Sequence, residues 1–434
     1  MYSSAKILAG NRRSVSGSIR VPGDKSISHR ALMLGALAEG RTRIRGFLPG
    51  EDCLATLAAL RALGVHIDTA DPDCIIVEGV GLHGLRAPHG PLDMGNSGTG
   101  MRLLAGILAG QSFTSELTGD ASLQKRPMER VAAPLRQMGA TLMTTGGRPP
   151  LQITGGVLRP IEYASPVASA QVKSAILLAG LYANGETRVT EPGISRDHTE
   201  RMLETFGVGV RYGSRFAAVQ GPARLVGCDV SVPGDLSSAA FALGAGCLAA
   251  GAGLSIEGVG INPTRTGLLE ILQMMGADIR IENKSMMGSE PVATLRVQPS
   301  RLHGVVIPGH LVPLAIDELP LVFALAACAD GVTVINGAEE LRHKESDRIA
   351  VMAAGLRELG IEVEETPDGA RISGGELRGG TVDSAGDHRI AMAFSIAAMC
   401  ASGRVEILDT ANVATSFPNF VPLMQSIGLE LANA

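Results

Sequence analysis

The chain has 434 residues, 45 % of them hydrophobic and 19 % charged, with a formal net charge of −5. That length suits two domains rather than one core, and the balance excludes both a disordered chain and a general polyanion binder, so any anion site must be local. Aromatics at 3 % with no Trp exclude stacking platforms for single-stranded nucleic acid, so no nucleic acid is expected as a partner.

The first elements in chain order set a pattern. An extended stretch, "GSIRVPG", leads into a polar-start apolar helix, "DKSISHRALMLGALAEG". A strand "RTRIRGF", a second helix "GEDCLATLAALRALG" and a strand "VHIDTA" follow. The Asp or Ser ahead of each first helix fits an N-cap, and the glycines behind the helices fit left-handed C-caps.

The second helix ends identically along the chain. "LRALGVHI", "LRQMGATL", "LETFGVGV", "LQMMGADI", "LRELGIEV" and "MQSIGLEL" place glycines at Gly64, Gly139, Gly207, Gly276, Gly360 and Gly428. A spacing of about 70 to 85 residues is longer than a solenoid repeat, so each copy is a supersecondary block. Six mixed helix and strand blocks predict an α+β protein of two domains with three repeats each. The seam lies where "VPGDKSIS" at 21–28 is echoed by "VPGDLSSA" at 232–239. One domain is expected at 24–234 and the other at 1–23 plus 235–434, with a hinge near 21–24 and 232–236.

Chemistry concentrates at the helix starts: "GDKSISHR", "GNSGTGMR", "SPVASAQVKS", "GDLSSAAF", "AIDELP" and "AGDHRIAM". A helix N-terminus offers free N–H groups and partial positive charge, and an added Lys or Arg strengthens that anion site. Further basic segments, "LQKRPMER", "ISRDHTER" and "LRHKESDR", precede the second helices. Two domains presenting these starts to a common cleft would suit substrates carrying several negative charges. "GDKS" is not a P-loop, because Asp24 separates Gly23 from Lys25, and "GNSGTGMR" does not satisfy GxGxxG.

Two acids stand among the cations. Asp317 in "LAIDELPL" opens an apolar helix and reads either as its N-cap or as a proton-transfer group. Glu345 in "RHKESDR" reads either as an ion-pair partner or as a second such group. The six cysteines form no CxxC pair and no metal-spaced cluster, and read as small hydrophobes in a reduced compartment. No apolar run reaches the roughly 20 residues of a bilayer span and no signal peptide is recognisable. No membrane partner is expected, and the location is read as cytoplasmic.

Long ordered motifs resemble the 5-enolpyruvylshikimate-3-phosphate synthase family, in its class II form: "PGDKSISHRALMLGALAEG", "LDMGNSGTGMRLLAGILAG", "TGDASLQKRPMERV", "ASAQVKSAILLAGLYANGET", "SRDHTERML", "DELPLVFALAACADGVTVINGAEELRHKESDRIA" and "GDHRIAMAFSIAA". The resemblance covers nearly the whole chain. It implies the enolpyruvyl transferase fold: two inverse α/β barrel-like domains, each of three βαβαββ units. The implied reaction moves the enolpyruvyl group of phosphoenolpyruvate to the 5-hydroxyl of shikimate 3-phosphate and releases phosphate, through a tetrahedral intermediate. This step belongs to chorismate and aromatic amino acid biosynthesis. No cofactor and no metal are implied, the partners are the two small substrates, and a monomer is expected.

The same resemblance assigns residues. Lys25, Ser26, Arg30, Ser169, Ala170, Gln171, Arg196, Asp317 and Lys344 would meet shikimate 3-phosphate. Lys25, Gly98, Arg126, Gln171, Arg348 and Arg389 would meet phosphoenolpyruvate. Asp317, Glu345 and Lys25 would move protons, and Ser28 and His29 would cap, pack or face solvent. Two positions depart from the family pattern. Thr415 in "ATSFP" stands where many members have a lysine, and Glu340 stands for an Asn that touches the substrate phosphate. Gly98 leaves room beside the phosphoenolpyruvate site, which in this family goes with access of the inhibitor glyphosate. The rival readings are the sister UDP-N-acetylglucosamine enolpyruvyl transferase, which needs a cysteine in a Gly-rich loop near Arg126, and a non-catalytic anion-binding relative.

Overall fold

The computed structural model describes residues 5–434. The chain divides into two compact units. One comprises Gly23–Val232 with Met286–Glu290, and the other comprises the residues up to Pro22, Pro233–Ser285 and Pro291–Ala434. Each has its own hydrophobic core.

Among the described residues, six sheets are formed, three per unit. In the first unit each sheet pairs one parallel edge strand with an antiparallel trio. Leu92–Asp93 runs parallel to Thr114–Thr118, which is antiparallel to Arg148–Thr154 and through it to Thr141–Thr145. Glu162–Ala164, Gly185–Thr190, Phe216–Gly221 and Val210–Gly213 repeat this order. The remaining sheet borrows its edge from far along the chain, Asp229–Ser231 lying parallel to Glu39–Arg45.

The second unit borrows from the N-terminus. Gly17–Ile19 runs parallel to Leu254–Gly260. Ile7–Ala9 is inserted between Val405–Leu408 and Leu431–Asn433, antiparallel to both. The last repeat is therefore completed by the first strand of the chain. In the middle repeat of this unit the sheet has three strands, with His303 and Val306 bridging to Asp330 and Val334 where the parallel edge would lie.

The repeated "LxxxG" has a single structural meaning. All six glycines have positive φ, from 83° at Gly207 to 109° at Gly139. Each Gly N–H bonds the carbonyl three residues back, and the next residue bonds the carbonyl five back, as Gly64 to Arg61 at 3.0 Å and Val65 to Leu60 at 3.1 Å. This is the Schellman motif, and the residue pairs it joins are apolar in every copy: Val65/Leu60, Ala140/Leu135, Val208/Leu203, Ala277/Leu272, Ile361/Leu356 and Leu429/Met424.

The first helices of the repeats are Lys25–Leu37, Gly98–Ala109, Ala170–Gly180, Leu236–Leu248, Leu319–Ala327 and His388–Ala397. They are buried almost all round, as helices apolar on every face must be. Only their starts stay polar. Close approach is made possible by glycine: a Cβ on Gly106 would lie 2.2 Å from the carbonyl oxygen of Ala175, so Gly98–Ala109 and Ala170–Gly180 cross nearly in contact.

Candidate active site

Three helix starts organise the Gly23–Val232 unit. Asp24, Ser97 and Ser169 cap them through Ile27, Gly100 and Val172 N–H groups. Lys25 follows the first cap, and its Nζ lies 2.9 Å from Asp52 Oδ2. Ser26 is half-buried beside it. Arg30, one turn on, is 3 % exposed. Its Nε donates to Thr199 Oγ1 at 2.7 Å, Nη1 to the Ser26 carbonyl at 2.9 Å and Nη2 to Ser174 Oγ at 2.8 Å. Burial lowers its pKa to about 10. His29 packs: its ring bridges Thr56 Oγ1 at 2.8 Å and Ser97 Oγ at 3.3 Å, and burial, then Lys25 and Arg30, push its pKa down to about 3. It is a neutral tie between two helix starts.

The crossing at Gly106 brings the second and third starts together. Gln171 donates to Thr99 Oγ1 at 2.8 Å and accepts a hydrogen bond from Arg102. Arg102 also donates to the Pro127 carbonyl at 3.1 Å, beside Arg126, whose Nη2 donates to Asn96 Oδ1 at 2.5 Å. A Cβ at Gly98 would sit 3.0 Å from Arg126 Nη1 and 3.1 Å from Arg102 Nη1. Two guanidinium groups thus converge over one helix N-terminus, an arrangement made for carboxylate or phosphate oxygens. Ser169 and Ala170 begin the neighbouring helix, and Ser169 N–H donates to Glu191 Oε1 at 2.8 Å. Arg196 lies in the loop before His198–Thr205.

In the second unit everything turns on Arg348, the first residue of the helix Arg348–Glu358 and 1 % exposed. Its Nε lies 2.8 Å from Asp387 Oδ2, its Nη2 2.6 Å from Glu345 Oε2 and its Nη1 3.5 Å from Asp317 Oδ1. Burial opposes the charge, but these carboxylates outweigh it and raise the pKa above the ordinary arginine value. Lys344 Nζ is 3.8 Å from Asp317, and its burial lowers its pKa. Arg389 Nη1 donates to the Asp317 carbonyl at 3.0 Å and lies 3.9 Å from Glu318 Oε1. The site therefore holds two half-buried carboxylates, Asp317 and Glu345, each bound to a different terminal nitrogen of one buried guanidinium. Such groups can exchange protons beside an anion without leaving an unpaired buried charge.

Residues 10–424 match the family model described as EPSP synthase (3-phosphoshikimate 1-carboxyvinyltransferase). The chain belongs to the EPSP synthase family. It is 61 % identical over 423 residues to a 3-phosphoshikimate 1-carboxyvinyltransferase of Acidithiobacillus ferrooxidans, covering 97 % of this chain and 98 % of that one. A protein of the same name from Methylococcus capsulatus is 58 % identical over 425 residues, 98 % and 97 % of the two chains. The 2.37 Å structure of an EPSP synthase from Acinetobacter baumannii superposes with a TM-score of 0.88 at 51 % identity, over 99 % of this chain and 100 % of that one. The enolpyruvyl transferase NikO from Streptomyces tendae shares the fold, with a TM-score of 0.78 at 20 % identity over 100 % and 99 % of the chains.

Within this EPSP synthase fold, one sequence reading is corrected. Asp317 does not cap the apolar helix, which is Leu319–Ala327 with Glu318 at the cap position. Pro320 occupies the first turn, where it lacks no needed N–H, and this sets the helix start two residues beyond Asp317. The Asp317 carboxylate is thereby left to face Arg348 and Lys344. Thr415 is 2 % exposed and donates its hydroxyl to the Asn412 carbonyl at 2.7 Å, closing a 3₁₀ turn. Glu340 is 44 % exposed and 4.0 Å from Lys344.

Sequence reasoning missed Arg102, Asp52 and Asp387. Arg102 could have been found, because it lies four residues after Gly98 and so on the same helix face. Asp52 carries no local signal and Asp387 only that of an N-cap, since their ion-pair partners are 27 and 39 residues away. Among the described residues, no group of three His, Cys, Asp or Glu is placed to hold a metal ion, and no helix is long and apolar enough to cross a membrane.

Proposed function

We propose that this chain transfers the enolpyruvyl group of phosphoenolpyruvate to the 5-hydroxyl of shikimate 3-phosphate, with release of phosphate. The observation that carries this is the pairing of Asp317 and Glu345 on the two ends of the Arg348 fork, with Lys344 and Arg389 around them. Asp317 takes the proton of the attacking hydroxyl as its oxygen bonds the enol carbon, and Glu345 gives a proton to the methylene carbon, forming the tetrahedral ketal. The ketal then expels phosphate as Glu345 takes a proton back from the new methyl group, restoring the double bond. Arg348, Arg389, Arg126, Gly98, Gln171 and Lys25 hold the phosphoenolpyruvate oxygens. Arg102, adjoining Gly98 and Gln171, joins this set.

Shikimate 3-phosphate is held by Lys25, Ser26, Arg30, Ser169, Ala170, Gln171, Arg196, Asp317 and Lys344. Lys25 shares in the proton traffic between the two substrates. Ala170 contributes its backbone alone. The chain is read as a monomer, and the six free cysteines fit a reducing cytoplasm.

The test is phosphate release with each substrate omitted in turn. Release that needs both phosphoenolpyruvate and shikimate 3-phosphate is expected. No release with that pair, and release with UDP-N-acetylglucosamine as acceptor, contradicts the reading.

A further inference from the structure

Lys173 stands one turn into the Ala170–Gly180 helix and is 4 % exposed. Its Nζ lies 3.1 Å from Glu191 Oε2 and 2.8 Å from Glu200 Oε1, and both carboxylate side chains are 1 % exposed. Burying ions costs several kcal/mol each, and well-packed apolar side chains of the same volume often hold a fold as well or better. The cluster therefore calls for a role besides stability.

Glu191 indicates one. Its Oε1 accepts the Ser169 N–H at 2.8 Å, and its Oε2 accepts the Ser195 hydroxyl at 2.7 Å. One carboxylate thus joins the residue that caps the Ala170–Gly180 helix to the loop that carries Arg196. A carboxylate so close to a phosphate site would repel the ligand unless a cation cancelled its charge. Lys173 is that cation.

We propose that Lys173 and Glu191 are a positioning pair for the phosphate group of shikimate 3-phosphate. Glu191 sets the spacing between Ser169 and Arg196, and Lys173 keeps Glu191 from repelling the dianion. The inference rests on the assignment of Ser169 and Arg196 to that phosphate. Glu200 completes the surroundings of the ammonium. Burial pushes the Glu200 carboxyl up, and although burial opposes the Lys173 charge, Glu200 and Glu191 hold the ammonium above its ordinary value. The other charges facing the cluster are Arg30 and Asp197, which interact with Glu200, and Asp24, Arg196 and Glu290, which act on Arg30.

The experiment is steady-state kinetics of wild type, Lys173→Met, Glu191→Gln and the double variant, with each substrate varied separately. Lys173→Met should raise KM for shikimate 3-phosphate by about tenfold or more, leaving kcat and the KM for phosphoenolpyruvate within about twofold, because only ground-state phosphate binding is lost. The double variant should recover most of the loss. A merely structural role would not produce the rescue. An unchanged KM for shikimate 3-phosphate, or a double variant no better than Lys173→Met, overturns the proposal. Should Lys173→Met not fold, Glu191→Asp decides: it keeps the ion pair but withdraws the carboxylate by one methylene, and an unchanged KM overturns the proposal equally. Wild-type protein that does not turn over these substrates overturns the functional reading instead, and with it the phosphate assigned to this site.

Discussion

Arg348 and Asp387 form a doubly bonded buried pair, Nε to Oδ2 at 2.8 Å and Nη2 to Oδ1 at 3.3 Å, with side chains 1 % and 0 % exposed. The same Asp387 caps His388–Ala397 by accepting the Arg389 N–H at 3.0 Å. One carboxylate therefore orients two of the arginines assigned to phosphoenolpyruvate.

Asp387→Asn should be costly on both counts. Removing one partner of a buried pair typically destabilises by about 3–5 kcal/mol. Urea unfolding should show a loss of that order, and kinetics on the folded fraction should show a raised KM for phosphoenolpyruvate. A stability unchanged within about 0.5 kcal/mol would remove Asp387 from this role.

Asp317→Ala separates binding from chemistry. General acid or base groups contribute about 10²–10⁴-fold, so kcat should fall by that order while calorimetry still detects shikimate 3-phosphate binding. Unchanged turnover would remove Asp317 as a proton-transfer group.

Gly98→Ala places a methyl group 3.0 Å from Arg126 Nη1 and 3.1 Å from Arg102 Nη1, so a guanidinium must move by a few tenths of an ångström. KM for phosphoenolpyruvate should rise while KM for shikimate 3-phosphate changes little. Equal increases in both would show that the methyl group disturbs more than this corner.

His29 makes stability depend on pH. Its folded pKa of about 3 lies below the unfolded value of 6.5, so the unfolded state binds more protons between those values. The stabilisation is complete above pH 6.5 and is lost as pH falls toward 3, at about 1.4 kcal/mol per unit. Urea midpoints measured from pH 7.5 downward should fall more steeply in wild type than in His29→Asn. Parallel slopes would show that His29 titrates normally.

The repeat architecture was legible because its signal is short-ranged. A glycine at a left-handed position, flanked by the apolar pair that a Schellman motif brings together, occurs six times within eight-residue windows. The cations at helix starts were legible for the same reason. Their buried counter-charges were not: Asp52, Glu191, Glu200 and Asp387 reach Lys25, Lys173 and Arg348 only through packing between segments distant in sequence. The N-cap reading of Asp317 failed because the cap lies one residue on, at Glu318, ahead of Pro320 in the first turn, a boundary that periodicity does not resolve. That the first strand completes the last sheet was likewise beyond local pattern, since Ile7–Ala9 pairs with Val405–Leu408 across nearly the whole chain.

The most direct measurement is phosphorus and proton NMR of the chain incubated with phosphoenolpyruvate and shikimate 3-phosphate. Loss of the phosphoenolpyruvate signal should be matched by equal inorganic phosphate and by a phosphomonoester bearing a new enol ether on the 5-oxygen. Phosphoenolpyruvate left intact with shikimate 3-phosphate, or consumed only when UDP-N-acetylglucosamine is supplied, would contradict it.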